Sequence, residues 1–239
     1  MEPQEKSTTE AAHNTMKSII LPGIRNTIIG IIVLGVVLCL VAGKFNYWQG
    51  WVFSILFAVL TNSQGIYLGI KSPELLARRM QIAAPKESRG QKIFLIVALL
   101  GFVGVLIFSA LDQRFGWSKM PAFVTVVGDA LMVLSFILYY FVLRENSWAA
   151  TTIQTFDGQK VISTGPYARV RHPKYVGDMI LGIGTLLALG SWWAFVFLVI
   201  TIPALVWRIL DEEKVLEKDL AGYKDYEQKV HYRLVPYLW

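Results

Sequence analysis

Segment 164–177 places an unusual set of reactive side chains between two strongly apolar stretches. It contains a Gly-Pro turn, two tyrosines, three cations and a histidine. A simple linker requires none of these. Polar groups held at the edge of a lipid bilayer are costly to place there and usually serve a function. The segment therefore predicts part of an active site at a membrane surface.

The sequence Arg171-His172-Pro173 predicts an elbow at the start of a helix. The residue before a proline is disfavoured in helical geometry, so His172 is expected to be extended or in a turn. Pro173 suits the first helical position, where its missing N–H is no loss. A helix N-terminus presents free N–H groups that suit a carboxylate or a phosphate. The alternative is a basic membrane anchor, which explains the cations but not the His-Pro pair or the tyrosines.

A second polar cluster, 208–213, follows the last apolar stretch. Arg208 and Glu212 are four residues apart and share one face of a predicted helix. An apolar stripe continues beyond them with Gly222 as a helix break, and it consists of Leu216, Leu220, Tyr223 and Val230. The alternative is an amphipathic interfacial helix with ordinary surface charges. The expected position on the same membrane face as the elbow favours a functional role.

Shorter signals complete the set. Arg144 ends an apolar stretch and is either a membrane anchor or a cation that orients a substrate. Segment 151–163, with Asp157-Gly158 as a turn signal, predicts a short hairpin or a loop. Ser72-Pro73 predicts the start of an interfacial helix. Gly184 and Ala188 have the spacing of close helix packing, or they make room for a flat ligand.

Membrane helices are the elements that must position these groups. The chain is 54% hydrophobic and only 17% charged, which is too apolar for an ordinary soluble domain. Spanning ~30 Å of hydrocarbon takes about 20 residues. Four apolar blocks are long enough, namely 27–43, 47–70, 93–111 and 122–143. Two shorter blocks, 175–189 and 192–207, predict a tight helical hairpin.

Lysine and arginine are concentrated in two loops, 71–92 and 144–174. The loops expected on the other side contain only Lys44, Arg114 and Lys119. By the positive-inside rule, both basic loops and both termini are predicted to be cytosolic. The net charge of +6 follows from this bias and from attraction to anionic lipid. It does not indicate nucleic-acid binding.

The predicted fold is an all-α integral membrane protein. It comprises a disordered cytosolic tail (1–20), four long transmembrane helices (21–143), and a catalytic region (144–239) with a helical hairpin and a cytosolic amphipathic helical tail. The first apolar block follows a polar stretch and lacks a small-residue cleavage site, so it is not a signal peptide. Cys39 is predicted to pack as a small hydrophobe. No metal site is expected, because the three histidines, His13, His172 and His231, are scattered.

Taken together, these motifs resemble the isoprenylcysteine carboxyl methyltransferase family. The residues that carry the resemblance are Thr164-Gly165-Pro166-Tyr167, Arg171-His172-Pro173, Tyr175, Gly177, Gly190-Ser191-Trp192-Trp193, Arg208, Glu212-Glu213, Leu216, Tyr223, Tyr226, Val230, Arg233 and Pro236. The resemblance is strong from about Asn146 to the C-terminus. It is looser in segments 71–75 and 112–117, a pattern associated with prokaryotic members.

The resemblance implies a membrane methyltransferase that uses S-adenosylmethionine on a lipophilic or prenylated acceptor, with carboxyl O-methylation as the expected reaction. The cofactor-binding residues that it implies are Tyr167, His172, Pro173, Tyr175, Gly177, Arg208, Glu212 and Glu213. A carboxylate there suits the cofactor's ammonium and sulfonium charges, and the helix N-terminus suits its carboxylate. Arg144 or Arg171 is expected to orient the acceptor, and Asn146 is a further catalytic candidate. A carboxylate acceptor needs no general base, so positioning and desolvation can suffice.

Three other functions stay open. A phospholipid-type N-methyltransferase would act on an amine headgroup. NADPH-dependent membrane sterol or steroid reductases resemble the chain in an Arg-His-Pro element followed by a tyrosine, but Asn and Gly-Glu are expected where this chain has Lys174 and Gly177-Asp178. A transporter or scaffold is disfavoured because no duplicated halves are visible. The expected location is the inner or plasma membrane in a prokaryote, or the endoplasmic reticulum in a eukaryote.

Overall fold

The computed structural model describes residue 18, residues 20–80 and residues 89–239. The expectation of a disordered tail over 1–20 lies almost entirely outside these residues. Within them the chain forms eight α-helices and no strand. Segment 151–163, predicted to be a hairpin or a loop, is a loop that turns at Asp157-Gly158. The prediction of an all-α protein is confirmed.

Four of the described helices are long and apolar enough to cross a membrane. They are α1 (Leu21–Ala42), α2 (Trp48–Lys71), α4 (Arg89–Phe115) and α5 (Ala122–Glu145). Each coincides with one of the predicted apolar blocks. Outward side chains such as Ile32 and Leu100 are 54% and 63% exposed, as suits a surface that faces lipid. The short helix α3 (Pro73–Met80) begins at its proline, as predicted.

The C-terminal region contributes a 3-10 turn (Gly165–Ala168) followed by α6 (Pro173–Ala188), α7 (Phe195–Asp219) and α8 (Tyr223–Lys229). The hairpin is formed by α6 and α7. The apolar block of α7 ends near Trp207, but the helix continues for about three more turns. It therefore holds Arg208 and the following acidic residues on one rigid element. Gly222, with φ of 83°, separates α7 from α8, as predicted.

Helices α5 and α6 pack closely because glycines remove side chains from their contact. A Cβ added to Gly128 would lie 2.3 Å from the backbone nitrogen of Ala188. One added to Gly184 would lie 3.0 Å from the carbonyl oxygen of Gly128. The spacing of Gly184 and Ala188 therefore serves helix packing. This contact lies near the end of α6. Nearer its start, a Cβ added to Gly177 would lie 2.5 Å from the Tyr139 ring of α5, so α6 packs closely on α5 along its length and the elbow is fixed relative to α5.

The end of the bundle opposite the elbow is held by hydrogen bonds. The Asp112 carboxylate is 1% exposed and accepts bonds from Ser118 Oγ at 2.6 Å and from Ser191 Oγ at 2.5 Å. The Tyr47 hydroxyl donates to the carbonyl of Leu189 at 2.7 Å. These bonds anchor the closed end of the hairpin to the turn between α4 and α5 and to α2.

The apolar core lies between these anchored elements. Its largest cluster of buried side chains includes Leu38, Phe53 and Met132. Cys39 belongs to the same cluster and is 1% exposed, so its predicted packing role is confirmed.

Candidate active site

A cavity of about 570 Å³ lies between the elbow, the end of α7 and the loop that follows α5. Its volume is within the ~300–1,000 Å³ of typical small-molecule sites. Loop residues 148–154 and 159–162 line its polar end, together with the elbow. Side chains of α4, α6 and α7 line its apolar end. A polar chamber is thus continuous with a groove among the membrane helices.

The elbow is held in place by the C-terminal segment. The backbone nitrogen of Arg171 donates to the carbonyl of Tyr232 at 2.9 Å, and that of His172 donates to the carbonyl of Arg233 at 3.0 Å. His172 has φ −124° and ψ 61°, outside helical geometry, and Pro173 is the first residue of α6. Both features agree with the sequence-based expectation.

Glu213 is the buried centre of a charged cluster behind the elbow. Its Oε1 lies 3.1 Å from His172 Nε2 and 3.2 Å from Arg171 Nη1. Its Oε2 lies 2.8 Å from Arg233 Nε, and Arg171 also pairs with Glu227. Burial opposes ionisation, but the hydrogen bonds from His172 and Arg233, together with the nearby charge of Arg171, outweigh it and lower the pKa of Glu213. Glu213 therefore stays ionised and joins the elbow to α7.

Tyr175 connects Arg208 to Glu212, the two residues that the sequence placed on one helix face. Its hydroxyl donates to Glu212 Oε2 at 2.6 Å and accepts from Arg208 Nε at 3.2 Å. Arg208 Nη2 donates to the carbonyl of Thr151 at 2.9 Å. The buried Nη1 of Arg208 has no hydrogen-bond partner among the described residues. A buried donor without a partner is costly, so this atom is available to a ligand.

A tyrosine pair borders the chamber on the side of the 3-10 turn. Asn146 Nδ2 donates to the Tyr167 hydroxyl at 3.0 Å, and the Tyr226 hydroxyl donates to the carbonyl of Tyr167 at 2.8 Å. Burial raises the pKa of Tyr167 to about 12, against the opposing effect of the Asn146 bond. Tyr167 is therefore neutral at physiological pH and presents a polar ring rather than a base.

Most site residues predicted from the sequence line the cavity, namely Asn146, Tyr167, Arg171, His172, Pro173, Tyr175, Arg208 and Glu212. Arg144, Gly177 and Glu213 do not. Gly177 faces α5, because an added Cβ would lie 2.5 Å from the ring of Tyr139. Arg144 is exposed near the end of α5. The chemical roles of all these residues stay predictions.

Sequence reasoning missed two features of the chamber. Arg79 of α3 lines it, donates to the carbonyl of Ala149 at 3.4 Å, and has a pKa lowered by burial. Asp178 also lines it and accepts from Lys174 Nζ at 2.7 Å and from the Tyr139 hydroxyl at 2.6 Å. The i,i+4 spacing of Lys174 and Asp178 could have indicated their pairing. Nothing in the sequence connects Arg79 to a site encoded two membrane helices later.

The apolar end is a groove that runs along the helices. On α4 it is lined by Phe94, Leu95, Ala98, Gly101, Phe102 and Val105. With a rise of ~1.5 Å per residue, this stretch is on the order of 16 Å long. The groove has the length and character to hold a hydrocarbon chain. No group of three His, Cys, Asp or Glu side chains in the described chain is placed to hold a metal ion.

Comparison with known proteins agrees with the resemblance found in the motifs. A model of the phospholipid methyltransferase family matches residues 123–221, which contain the elbow and α7. The solved structure of the eukaryotic intramembrane Ras methyltransferase ICMT, an isoprenylcysteine carboxyl methyltransferase, matches 87% of this chain and 73% of that chain. The TM-score is 0.56 and the sequence identity 20%. This likeness shows the fold.

A Delta(14)-sterol reductase from Mus musculus is also similar. It is 28% identical over 154 residues, which are 63% of this chain and 32% of the reductase. The chain therefore spans about a third of the length of that relative. This relative belongs to the sterol reductases, the enzyme class that the Arg-His-Pro element had left open in the sequence.

Proposed function

We propose that this chain is an S-adenosylmethionine-dependent membrane methyltransferase that acts on the carboxylate of a lipophilic acceptor. One observation carries the proposal. The polar chamber with Arg208, Glu212 and the elbow opens directly into the apolar groove between α4, α6 and α7. A site with these two halves suits a water-soluble cofactor and a lipid together. The phospholipid methyltransferase match and the shared fold support the assignment.

The chamber fits S-adenosylmethionine by charge. Glu212 offers a carboxylate to the cofactor's ammonium and sulfonium groups, and Tyr167 and Tyr223 line the same cavity, where aromatic rings can attract cations. The N-terminus of α6 and the unpartnered Nη1 of Arg208 suit its carboxylate. When bound, the cofactor supplies a methyl group on a positively charged sulfur and leaves as a neutral thioether.

The charges that line the cavity favour an acid over an amine as the acceptor. Neither Arg79 nor Arg208 forms an ion pair with a carboxylate in the described parts of the chain. With Arg208 facing the cofactor's carboxylate, an anionic acceptor compensates Arg79, whereas an ammonium group would be repelled and would first have to lose a proton. The lining carboxylate other than Glu212 is Asp178, which Lys174 and Tyr139 already engage.

Catalysis then rests on positioning and on exclusion of water. A carboxylic acid is already ionised at neutral pH, and Arg79 can hold it towards the cofactor. Arg171 contributes indirectly, because Glu213 and Glu227 engage its guanidinium at the elbow. The loop over the chamber excludes water, which strengthens each of these electrostatic contacts. Arg144, exposed and off the cavity, lacks comparable support.

The cofactor assignment is tested by calorimetric titration of the detergent-purified protein with S-adenosylhomocysteine. We expect saturable binding that His172→Ala and Glu212→Ala both weaken strongly. A folded wild-type protein that binds no S-adenosylhomocysteine would overturn the assignment.

The acceptor is tested by transfer of a labelled methyl group in proteoliposomes. We expect product from a prenylated cysteine with a free carboxylate, and none from its amide. Transfer to phosphatidylethanolamine instead would assign the chain to N-methylation of phospholipids.

Orientation forms part of the same proposal. The two basic loops, 71–92 and 144–174, should face the cytosol, and both termini with them. The exposed Lys160 offers a test, because the chain contains a single, buried cysteine. A cysteine placed by Lys160→Cys should react with a membrane-impermeant maleimide only after the cytosolic side is opened. Reaction in intact cells, from the outer side, would show that the chain has the opposite topology.

A reductase is the second candidate, because of the 28% identity to the sterol reductase. The same Arg79 and Arg208 would suit the phosphates of NADPH. A parallel titration with NADPH separates the two functions. Binding of NADPH without binding of S-adenosylhomocysteine would make the chain a reductase.

A further inference from the structure

Helix α3 lies outside the catalytic region of the sequence, yet it contacts the loop that closes the chamber. Its Leu75 is buried in a cluster with Leu68 of α2 and Leu143 of α5. This apolar contact fixes α3 at the level where α5 ends and the loop begins. The polar side of α3 is thereby turned to the first residues of the loop.

Arg78 of α3 contacts the loop at three residues. Its guanidinium carbon lies 4.8 Å from the ring centroid of Trp148 and 4.8 Å from that of Phe156. Its Nη1 donates to the carbonyl of Ser147 at 3.0 Å. The side chain is only 22% exposed, whereas its ion-pair partner Glu74 is 88% exposed. Arg78 therefore joins two distant points of the loop in one contact.

The neighbouring residue continues the attachment into the chamber. Arg79 donates to the carbonyl of Ala149, and its own carbonyl accepts from Thr151 Oγ1 at 2.8 Å. The carbonyl of Thr151 in turn accepts from Arg208 Nη2. A continuous series of contacts thus runs from α3 through the loop to the arginine whose Nη1 is available to a ligand. Arg78 itself does not line the cavity.

We propose that Arg78 is a positioning residue that holds loop 147–156 closed over the chamber and so sets the affinity for the cofactor. This inference rests on the proposed function only in its choice of ligand. A planar guanidinium can stack on two rings and donate to a carbonyl at the same time, whereas the point charge of a lysine cannot. Charge alone is therefore not sufficient at this position.

The test compares Arg78→Ala and Arg78→Lys with the wild-type protein by titration with S-adenosylhomocysteine. We expect Kd to rise about tenfold in both variants, because a cation–π contact and a hydrogen bond are lost. Glu74→Ala removes only the exposed partner of the same arginine and should leave Kd unchanged. Phe156→Leu removes one ring but no charge and should give a smaller rise.

A second readout separates loop positioning from general loss of stability. Lys160 is exposed four residues after this loop, in the same connection between α5 and the 3-10 turn, so the rate of tryptic cleavage after it reports how firmly this connection is held. We expect faster cleavage in Arg78→Ala than in the wild type, and suppression by S-adenosylhomocysteine in both.

Two failures are distinguishable. A wild-type protein without affinity for S-adenosylhomocysteine removes the proposed function. Wild-type binding with equal Kd in Arg78→Ala, or full rescue by Arg78→Lys, overturns the role of Arg78. If Arg78→Ala does not fold, an unchanged Kd in Phe156→Leu likewise overturns the role of Arg78.

Discussion

Glu212 and Glu213 are neighbours in the sequence, but their carboxylates lie in different surroundings. Glu212 lines the cavity and accepts from Tyr175, whereas Glu213 is buried among the Arg171, His172 and Arg233 side chains. The family resemblance placed both at the cofactor pocket and left open which of the two contacts the cofactor. The structure separates the two, because Glu212 faces the cavity and Glu213 joins the elbow, α7 and the C-terminal segment.

Substitution of each glutamate should therefore have a different effect. Glu212→Gln is expected to weaken S-adenosylhomocysteine binding about tenfold or more, because a charge-assisted contact is lost. Glu213→Gln is expected to reduce stability by about 3 kcal/mol, because buried arginines lose their counter-charge. Calorimetric titration and thermal melting measure the two effects. Glu217→Gln, exposed on the same helix, is the control and should change neither. A Glu213→Gln protein with normal melting and no binding would contradict this separation.

The Glu213 cluster also predicts how stability depends on pH. Its folded-state pKa lies below the ordinary value of 4.5. A depressed carboxyl pKa adds stability that is complete above 4.5 and is lost as the pH falls through the folded-state value. Melting temperature should thus be flat near neutral pH and decline below about 4.5. The decline should be shallower in Glu213→Gln, and an equal slope in both proteins would show that other groups cause it.

At the residue scale, the sequence predicted which residues lie near the site. It did not predict which of them line the cavity and which only hold the structure around it. The spacing of Arg208 and Glu212 placed both on one face correctly. The intervening hydroxyl of Tyr175 could not be foreseen, because it comes from another helix. A glycine such as Gly177 can let a ligand approach the backbone closely, but here it makes room for the ring of Tyr139. Only the three-dimensional packing distinguishes the two uses of a glycine.

At the scale of elements, the contact between α5 and α6 is the most sensitive to added volume. Gly128→Ala would place a methyl group 2.3 Å from the backbone of Ala188, and backbone cannot rotate away as a side chain can. We expect a loss of about 1–3 kcal/mol, measured by thermal melting in detergent. Gly65→Ala on α2 meets nothing within 4 Å and should be neutral or stabilising by up to about 1 kcal/mol. Equal melting of the two variants would contradict this account of the contact.

The elements themselves followed from composition, since apolar blocks long enough to span a bilayer became α1, α2, α4 and α5. The continuation of α7 beyond its apolar block also follows from the sequence, because segment 208–221 contains neither glycine nor proline. The docking of α3 onto loop 147–156 does not follow, because it depends on the packing of Leu75 between two membrane helices. Contacts between distant segments are set by tertiary structure and leave little local signal.

At the scale of the whole molecule, the groove makes a prediction about the lipid acceptor that is independent of the cofactor. Ala98 of α4 lines the groove, whereas its neighbour Leu99 is 61% exposed on the outer face of the same helix. A large side chain at position 98 would fill space that the acceptor's chain is proposed to occupy, and the same side chain at 99 would extend into lipid. The two positions are adjacent on one helix and differ mainly in the face of the helix on which they lie.

Ala98→Trp is therefore expected to raise KM for the prenylated acceptor about tenfold or more, because the chain loses most of its apolar contact. Binding of S-adenosylhomocysteine should stay unchanged, since the polar chamber lies at the other end of the cavity. Leu99→Trp should leave both quantities unchanged. Methyl-transfer kinetics and calorimetric titration give the two readouts for each variant. An acceptor KM that is the same in all three proteins would mean that the lipid reaches the chamber by another route, and the groove between α4, α6 and α7 would lose its assigned role.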